Sequence, residues 1–179
     1  MKATGIVRRI DELGRVVIPK EIRRTQRIRR GDPLEIFTTG DGEVIFKKYS
    51  LMGGLDDFAA QLCETMSRST GAICAVTDRD SVIAVAGGAK RELLGKPLSD
   101  ALAQVMEQRS IYQYQGSGRP LPVSDSSDRY TVAVAAPILC EGDVLGLVLF
   151  LSSDAQIPGE GEYKLAQTVS AFLGRHMET

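Results

Sequence analysis

The sequence contains no tryptophan, a single histidine and only three cysteines, and each scarcity removes a class of chemistry. With His176 the one histidine, a His-based metal site or a Ser-His or Cys-His nucleophile would rest on a residue in the last turns of the chain, which speaks against most hydrolases. Cys63, Cys74 and Cys140 are odd in number, scattered and without C-x-x-C spacing, so neither a disulfide framework nor a zinc site is indicated. No apolar run approaches the roughly 20 residues of a membrane span. The first residues also lack the apolar core of a signal peptide. The expectation is a cytoplasmic protein with no membrane, metal or cofactor.

Net charge is almost absent overall but not locally. Residues 1–50 carry 12 Lys and Arg against 7 Asp and Glu, a net of +5, whereas residues 51–179 carry 10 against 16, a net of −6. That reversal marks a boundary near residue 50 between a basic head and an acidic body. Eight arginines fall within the first thirty residues. Charge this dense on so short a scaffold calls for a polyanionic partner, and DNA is the expected one.

The head reads as strand, turn, strand, helical turn and hairpin. Ala3 to Ile10 and Arg15 to Ile18 are expected strands on either side of Asp11-Glu12-Leu13-Gly14, where Gly14 can supply a positive φ. Asp11 and Glu12 read as turn and ion-pair residues. Pro19 stops the second strand and suits the start of a helix over Lys20 to Arg27. Leu34 to Thr38 and Val44 to Lys48 alternate apolar and polar around Thr39-Gly40-Asp41-Gly42, a hairpin signal. Elements this short bury too little to stand alone without a disulfide or metal. Pairing with a second copy is therefore expected, and it would bring two sets of arginines to a two-fold DNA site.

The run TGIVRRIDELGRVVIPKEIRR, followed by GDPLEIF and EVIFKKY, closely resembles the DNA-binding domain of the AbrB-like transition-state regulator family. Within that family it is most similar to the stage V sporulation protein T group, which shares the MKATGIVRRID start and the chain length. The resemblance implies a dimer of interleaved, swapped hairpins over residues 1–50. In it Arg8, Arg15, Arg23 and Arg24, with Arg9 beside the first, face double-stranded DNA. Lys2, Lys20, Arg27, Arg29 and Arg30 would be supporting phosphate contacts, and Gln26 stands where the family commonly has an apolar residue. The family resemblance also implies reading of DNA shape more than a strict base code, hence relaxed preference with an AT-rich bias. The competing reading is a solvated face whose arginines pair with Asp11, Glu12, Glu21 and Glu35.

Beyond Gly53-Gly54, a flexible joint, Leu55, Phe58, Ala59, Leu62 and Met66 repeat at helical spacing to about Ser69. They suit either the inner face of a domain helix or a helix pairing with its copy. A hairpin of Ala72 to Thr77 and Val82 to Ala86 follows, then a short helix over Ala89 to Leu94. Ser99 is the expected N-cap of a helix over Asp100 to Arg109. Ile111 to Gln115 reads as a strand, and Gly116 to Asp128 as a long loop. Tyr130 to Leu139 and Val144 to Ser152 read as the most buried strands. Glu160 to Met177 closes the sequence as a helix with Leu165, Val169, Phe172 and Leu173 on one face. Cys74 and Cys140 lie in strand patterns, as inert core thiols would.

This order describes an antiparallel sheet with flanking helices, so the fold class is α+β. The paired strands APILCEGDVLGLVLF, with a polar turn and a Gly early in the second, resemble GAF-type sensor domains. That resemblance implies either a small-molecule ligand, in a pocket between the sheet and residues 89–128, or assembly through helices. Arg109, Arg119 and Arg129 could meet an anionic ligand but read as surface residues. The expected organisation is a DNA-binding domain over 1–50, a linker and helix over 51–70, and a GAF-like sensory or oligomerisation domain over 71–179. The two resemblances together imply a non-enzymatic DNA-binding transcriptional regulator, activator or repressor, of sporulation-stage genes in the forespore. It would be a homodimer through residues 1–50 and a homotetramer through the C-terminal domain. An antitoxin-like protein-binding module shares the basic head, but residues 51–179 look folded where a toxin-wrapping tail would be polar and extended. Some GAF domains reduce free methionine sulfoxide through cysteines, yet no histidine lies near Cys63, Cys74 or Cys140 to activate one.

Overall fold

In the computed structural model, residues 4–50 and 52–178 are described. The expected contact residue Lys2 and the start of the first arm lie outside them. The chain forms two units, Met1–Tyr49 and Ser50–Thr179.

In the first unit the turn at residues 11–14 forms, but neither flanking strand does. Among the described residues, the main-chain bonds here run from the Asp11 N–H to Arg15 O (3.0 Å) and from the Gly14 N–H to Asp11 O (2.9 Å). The β-branched residues favour extended backbone, but a ladder needs a neighbouring strand, and no described segment of the chain supplies one. Pro19 (φ −56°, ψ 149°) opens α1 (Lys20–Thr25), with Glu21 in its first turn and Arg23 and Arg24 in its last, as the helix dipole favours. The helix stops two residues short of expectation, because Gln26 is already its C-cap and Arg27 turns left-handed (φ 51°). Gln26 is exposed, so a polar side chain costs nothing there. The Lys48 ammonium donates to Arg27 O (2.8 Å) and the Arg29 N–H to the Asp32 carboxylate (2.7 Å), which fasten this segment to the hairpin. β1 (Leu34–Thr38) and β2 (Val44–Lys48) pair antiparallel from Leu34↔Lys48 to Thr38↔Val44, in the register that their alternation predicts. Much of the unit's apolar surface stays uncovered: Val7 is 87% exposed and Val17 70%, with Ile10, Leu13, Ile36, Val44 and Phe46 also exposed.

The second unit is a six-stranded antiparallel sheet. Its elements are α2 (Asp56–Thr70), β3 (Ile73–Thr77), β4 (Val82–Ala86), α3 (Lys90–Leu93), α4 (Asp100–Gln108), β5 (Tyr112–Gln113), β6 (Pro122–Ser124), β7 (Ser127–Cys140), β8 (Asp143–Ser152) and α5 (Glu160–His176). The strand order is β4-β3-β8-β7-β5, with β6 also on β7. Both faces are buried, which is why the central strands read as nearly continuous apolar runs. Cys74, Val76, Val148, Phe150 and Ile138 face α2 and α5, where Ala59, Cys63, Met66, Val169 and Leu173 meet them. Ala75, Leu147, Leu149 and Leu151 face the opposite way, onto Leu93, Leu98, Leu102 and Met106. Thus α2 is an inner helix of this unit, in part through the stripe read from sequence.

Two expectations for the segment between α4 and β7 need correcting. The segment Gly116–Asp128 is not a long loop: β6 and the start of β7 form a hairpin around Asp125 and Ser126, with Ser124 opposite Ser127. The strand expected over Ile111 to Gln115 shrinks to two residues. Ser99 caps α4 as expected, accepting from the Leu102 N–H (3.2 Å). Its hydroxyl also donates to Pro122 O (2.7 Å), tying helix to hairpin.

Candidate nucleic-acid interface

The arginines of the head are held by short elements that leave their side chains in solvent. Arg8 and Arg9 lie on the extended arm, Arg15 just past the turn, and Arg23 and Arg24 on the last turn of α1, all exposed. Among the described residues, no side-chain hydrogen bond or ion pair engages Arg8, Arg9, Arg23 or Arg24, although Glu12, Glu21 and Glu35 are in the same unit. Of the five arginines expected to face DNA, Arg15 is held by a carboxylate: Asp11 Oδ2 accepts from its Nε at 2.8 Å. Asp11 Oδ1 also accepts from the Leu13 N–H (3.0 Å) and the Arg15 N–H (2.8 Å). These bonds, the Arg15 main-chain bond first, hold the Asp11 carboxyl below its ordinary range. Lys20 and Arg30 are exposed, while Arg27 and Arg29 are half-buried. Uncommitted guanidinium groups can chelate phosphate oxygens or the O6 and N7 of guanine.

The C-terminal unit offers different chemistry. In the region between the sheet and residues 89–128, Leu93, Leu98, Leu102, Val105, Met106 and Val123 are buried. A recess of about 190 Å³ opens elsewhere, between Gly71–Ile73, Ser152–Asp154 and Glu162. Arg119 bonds Asp128 (3.0 Å), and Arg129 bonds Glu92 (2.6 Å) while lying 5.4 Å from the Tyr130 ring centre. Arg109 closes α4 in the left-handed region (φ 53°). Arg119 and Arg129 are thus engaged by carboxylates of their own unit.

Burial pushes the thiols of Cys63 and Cys74 up to about 12, the opposite of what a redox thiolate requires. Cys140 ends β7 half-buried, at the edge of the core rather than within it. Phe172, expected on the inner face of α5, is instead 50% exposed. That face is made by Ala166, Val169, Ser170, Leu173 and Gly174. Phe172 lies 6.0 Å from the Phe58 ring and 6.2 Å from that of His176, an aromatic group where α2 and α5 meet solvent. Spacing alone could not separate Phe172 from Leu173, since adjacent positions straddle the border of a helix face. Among the described residues no helix is long and apolar enough to cross a membrane.

A family model described as stage V sporulation protein T C-terminal, transcription factor, matches residues 54–178. A second, antidote-toxin recognition MazE, bacterial antitoxin, matches residues 7–51. Stage V sporulation protein T of Bacillus subtilis is 49% identical over 181 aligned residues, covering 99% of both chains. The transition state regulatory protein AbrB of the same organism is 61% identical over 49 residues, 27% of this chain and half of AbrB. The GAF domain from an Acinetobacter phosphoenolpyruvate-protein phosphotransferase superposes with a TM-score of 0.52 at 15% identity, over 73% of this chain and 84% of that one. This likeness gives the C-terminal unit its fold, that of a GAF domain. Near-complete coverage by one relative, together with the family model over the C-terminal unit, settles the assignment: the chain belongs to the stage V sporulation protein T family of transcription factors.

Proposed function

We infer that the protein is a DNA-binding transcriptional regulator of sporulation-stage genes, acting in the cytoplasm of the forespore and catalysing no reaction. The observation that carries this reading is the set of exposed guanidinium groups at Arg8, Arg9, Arg23 and Arg24, which no side-chain hydrogen bond or ion pair engages among the described residues although the unit also carries Glu12, Glu21 and Glu35. Double-stranded DNA with relaxed, AT-leaning preference is the proposed partner. The exposed apolar residues of the first unit support a homodimer through residues 1–50, since patches of this kind mark association sites. The aromatic group at the α2 and α5 surface supports a tetramer through the C-terminal unit. The recess of about 190 Å³ beside Gly71–Ile73, Ser152–Asp154 and Glu162 is smaller than the roughly 300–1,000 Å³ of ligand pockets and does not by itself support ligand sensing.

The test is binding of the full chain to an AT-rich duplex as a function of salt, beside the Arg15→Ala, Arg23→Ala double variant. A steep log–log dependence in the unmodified chain, flattened by about two phosphates in the variant, is expected. No binding at low salt would instead favour an antitoxin-like head, as the match over residues 7–51 allows.

A further inference from the structure

We propose that Asp11 is a positioning residue for DNA recognition, fixing the Arg15 guanidinium by its Nε edge so that the Nη1 and Nη2 edge is presented to the duplex in one orientation. The inference rests on the DNA-binding reading above. Its basis is a difference among the arginines. Arg15 is held through both its main-chain N–H (2.8 Å) and its Nε–H (2.8 Å) by one carboxylate, which itself is anchored to the turn by the Leu13 N–H (3.0 Å). Arg8, Arg9, Arg23 and Arg24 have no side-chain hydrogen bond or ion pair among the described residues. The Arg15 side chain nevertheless remains 70% exposed, so the clamp aims it without burying it.

A guanidinium has five N–H donors in a rigid fork. With Nε given to Asp11, the outer edge keeps the paired donors that chelate a phosphate or reach base edges in a groove. Holding one rotamer-rich side chain in place beforehand removes an ordering cost from the bound state. The arrangement carries an electrostatic penalty, because a carboxylate sits beside incoming phosphates. A residue kept for general affinity would not be a carboxylate. The gain lies in discrimination: an arginine of fixed direction senses groove width and potential, while a freely rotating one neutralises phosphate on any sequence.

The two roles separate in Asp11→Asn. The amide oxygen still accepts from the Leu13 and Arg15 main chains, so the turn is kept, but the charge-assisted bond to Nε is lost. Affinities of the full chain for AT-rich and GC-rich duplexes of equal length are measured for the unmodified protein, Asp11→Asn, Arg15→Ala and the double variant. The Arg15 Nε–H signal is followed by NMR in the free, arginine-labelled full chain. The expected result is a slowly exchanging Nε–H that Asp11→Asn abolishes. The AT-to-GC affinity ratio should fall by about fivefold in Asp11→Asn, GC-rich binding should be no weaker, and Asp11→Asn should add nothing to the ratio in the Arg15→Ala background. An unchanged ratio, or equal and additive losses on both duplexes, overturns the positioning role while leaving DNA binding intact. Failure of the unmodified chain to bind either duplex overturns the DNA reading and this inference with it.

Discussion

Burial at Cys63 and Cys74 decides what these thiols can do and when the fold feels them. Both have their pKa raised from 9.0 to about 12, chiefly by desolvation. The unfolded chain therefore gives up these protons first, and the linked stability is fully present below pH 9 and lost as pH rises toward 12. Denaturant midpoints should be flat up to that point and then fall, with a shallower fall in Cys63→Ala, Cys74→Ala; an identical slope would rule out the linkage. Close packing imposes a different constraint at Gly146, where a Cβ would strike the Thr77 carbonyl oxygen across the β3–β8 pair. Gly146→Ala should cost about 2 kcal/mol or more as overpacking. Gly161 on α5 has open space around it. Gly161→Ala should be neutral or stabilise by up to about 1 kcal/mol. Equal effects at both positions in thermal melts would show that the contact at Gly146 relaxes freely.

Which elements could be read before the structure follows from where their partners lie. β1 with β2, and β7 with β8, are joined by short polar turns with Gly at positive φ, and local chemistry sets their pairing and register. The arms at residues 4–10 and 15–18 carry the same β-favouring residues, but a strand is a property of a pair, and sequence reveals propensity without revealing the partner. The β6–β7 hairpin was hidden because Ser, Asp and Pro around its turn read as loop. In the candidate site, the arginines were legible as dense charge and by family resemblance. The Asp11 clamp was legible only as a turn residue, because its dual grip on Arg15 depends on how the turn closes. On α5, the solvent border decides which substitution tests assembly. Leu173 is fully buried, so Leu173→Ala should destabilise the C-terminal unit by about 2–5 kcal/mol. Phe172→Glu should leave the melt nearly unchanged and convert the proposed tetramer to a dimer in sedimentation. A tetramer that survives places the contact elsewhere.

At the scale of the whole molecule, charge and apolar surface are sorted between the units. The head has a net +5 over residues 1–50 and exposed apolar residues, and the body a net −6 over residues 51–179 around a large buried core. On the proposed assembly, the contribution of the net-acidic body to DNA binding comes through the number of heads it holds together. Linking two modest binding events makes the second intramolecular and raises affinity by about 10²–10⁴ when the span between sites is matched. The consequence is specific. The unmodified chain should bind a duplex carrying two AT-rich segments far more tightly than one carrying a single segment, and the gap should close in Phe172→Glu while single-segment affinity is retained. If both duplexes bind the unmodified chain equally, the heads work independently and the body's assembly serves something other than avidity. If instead Phe172→Glu weakens the single-segment complex as well, the heads depend on the body for their own pairing, and the apolar surface around Val7 and Val17 is too small to hold two copies together unaided.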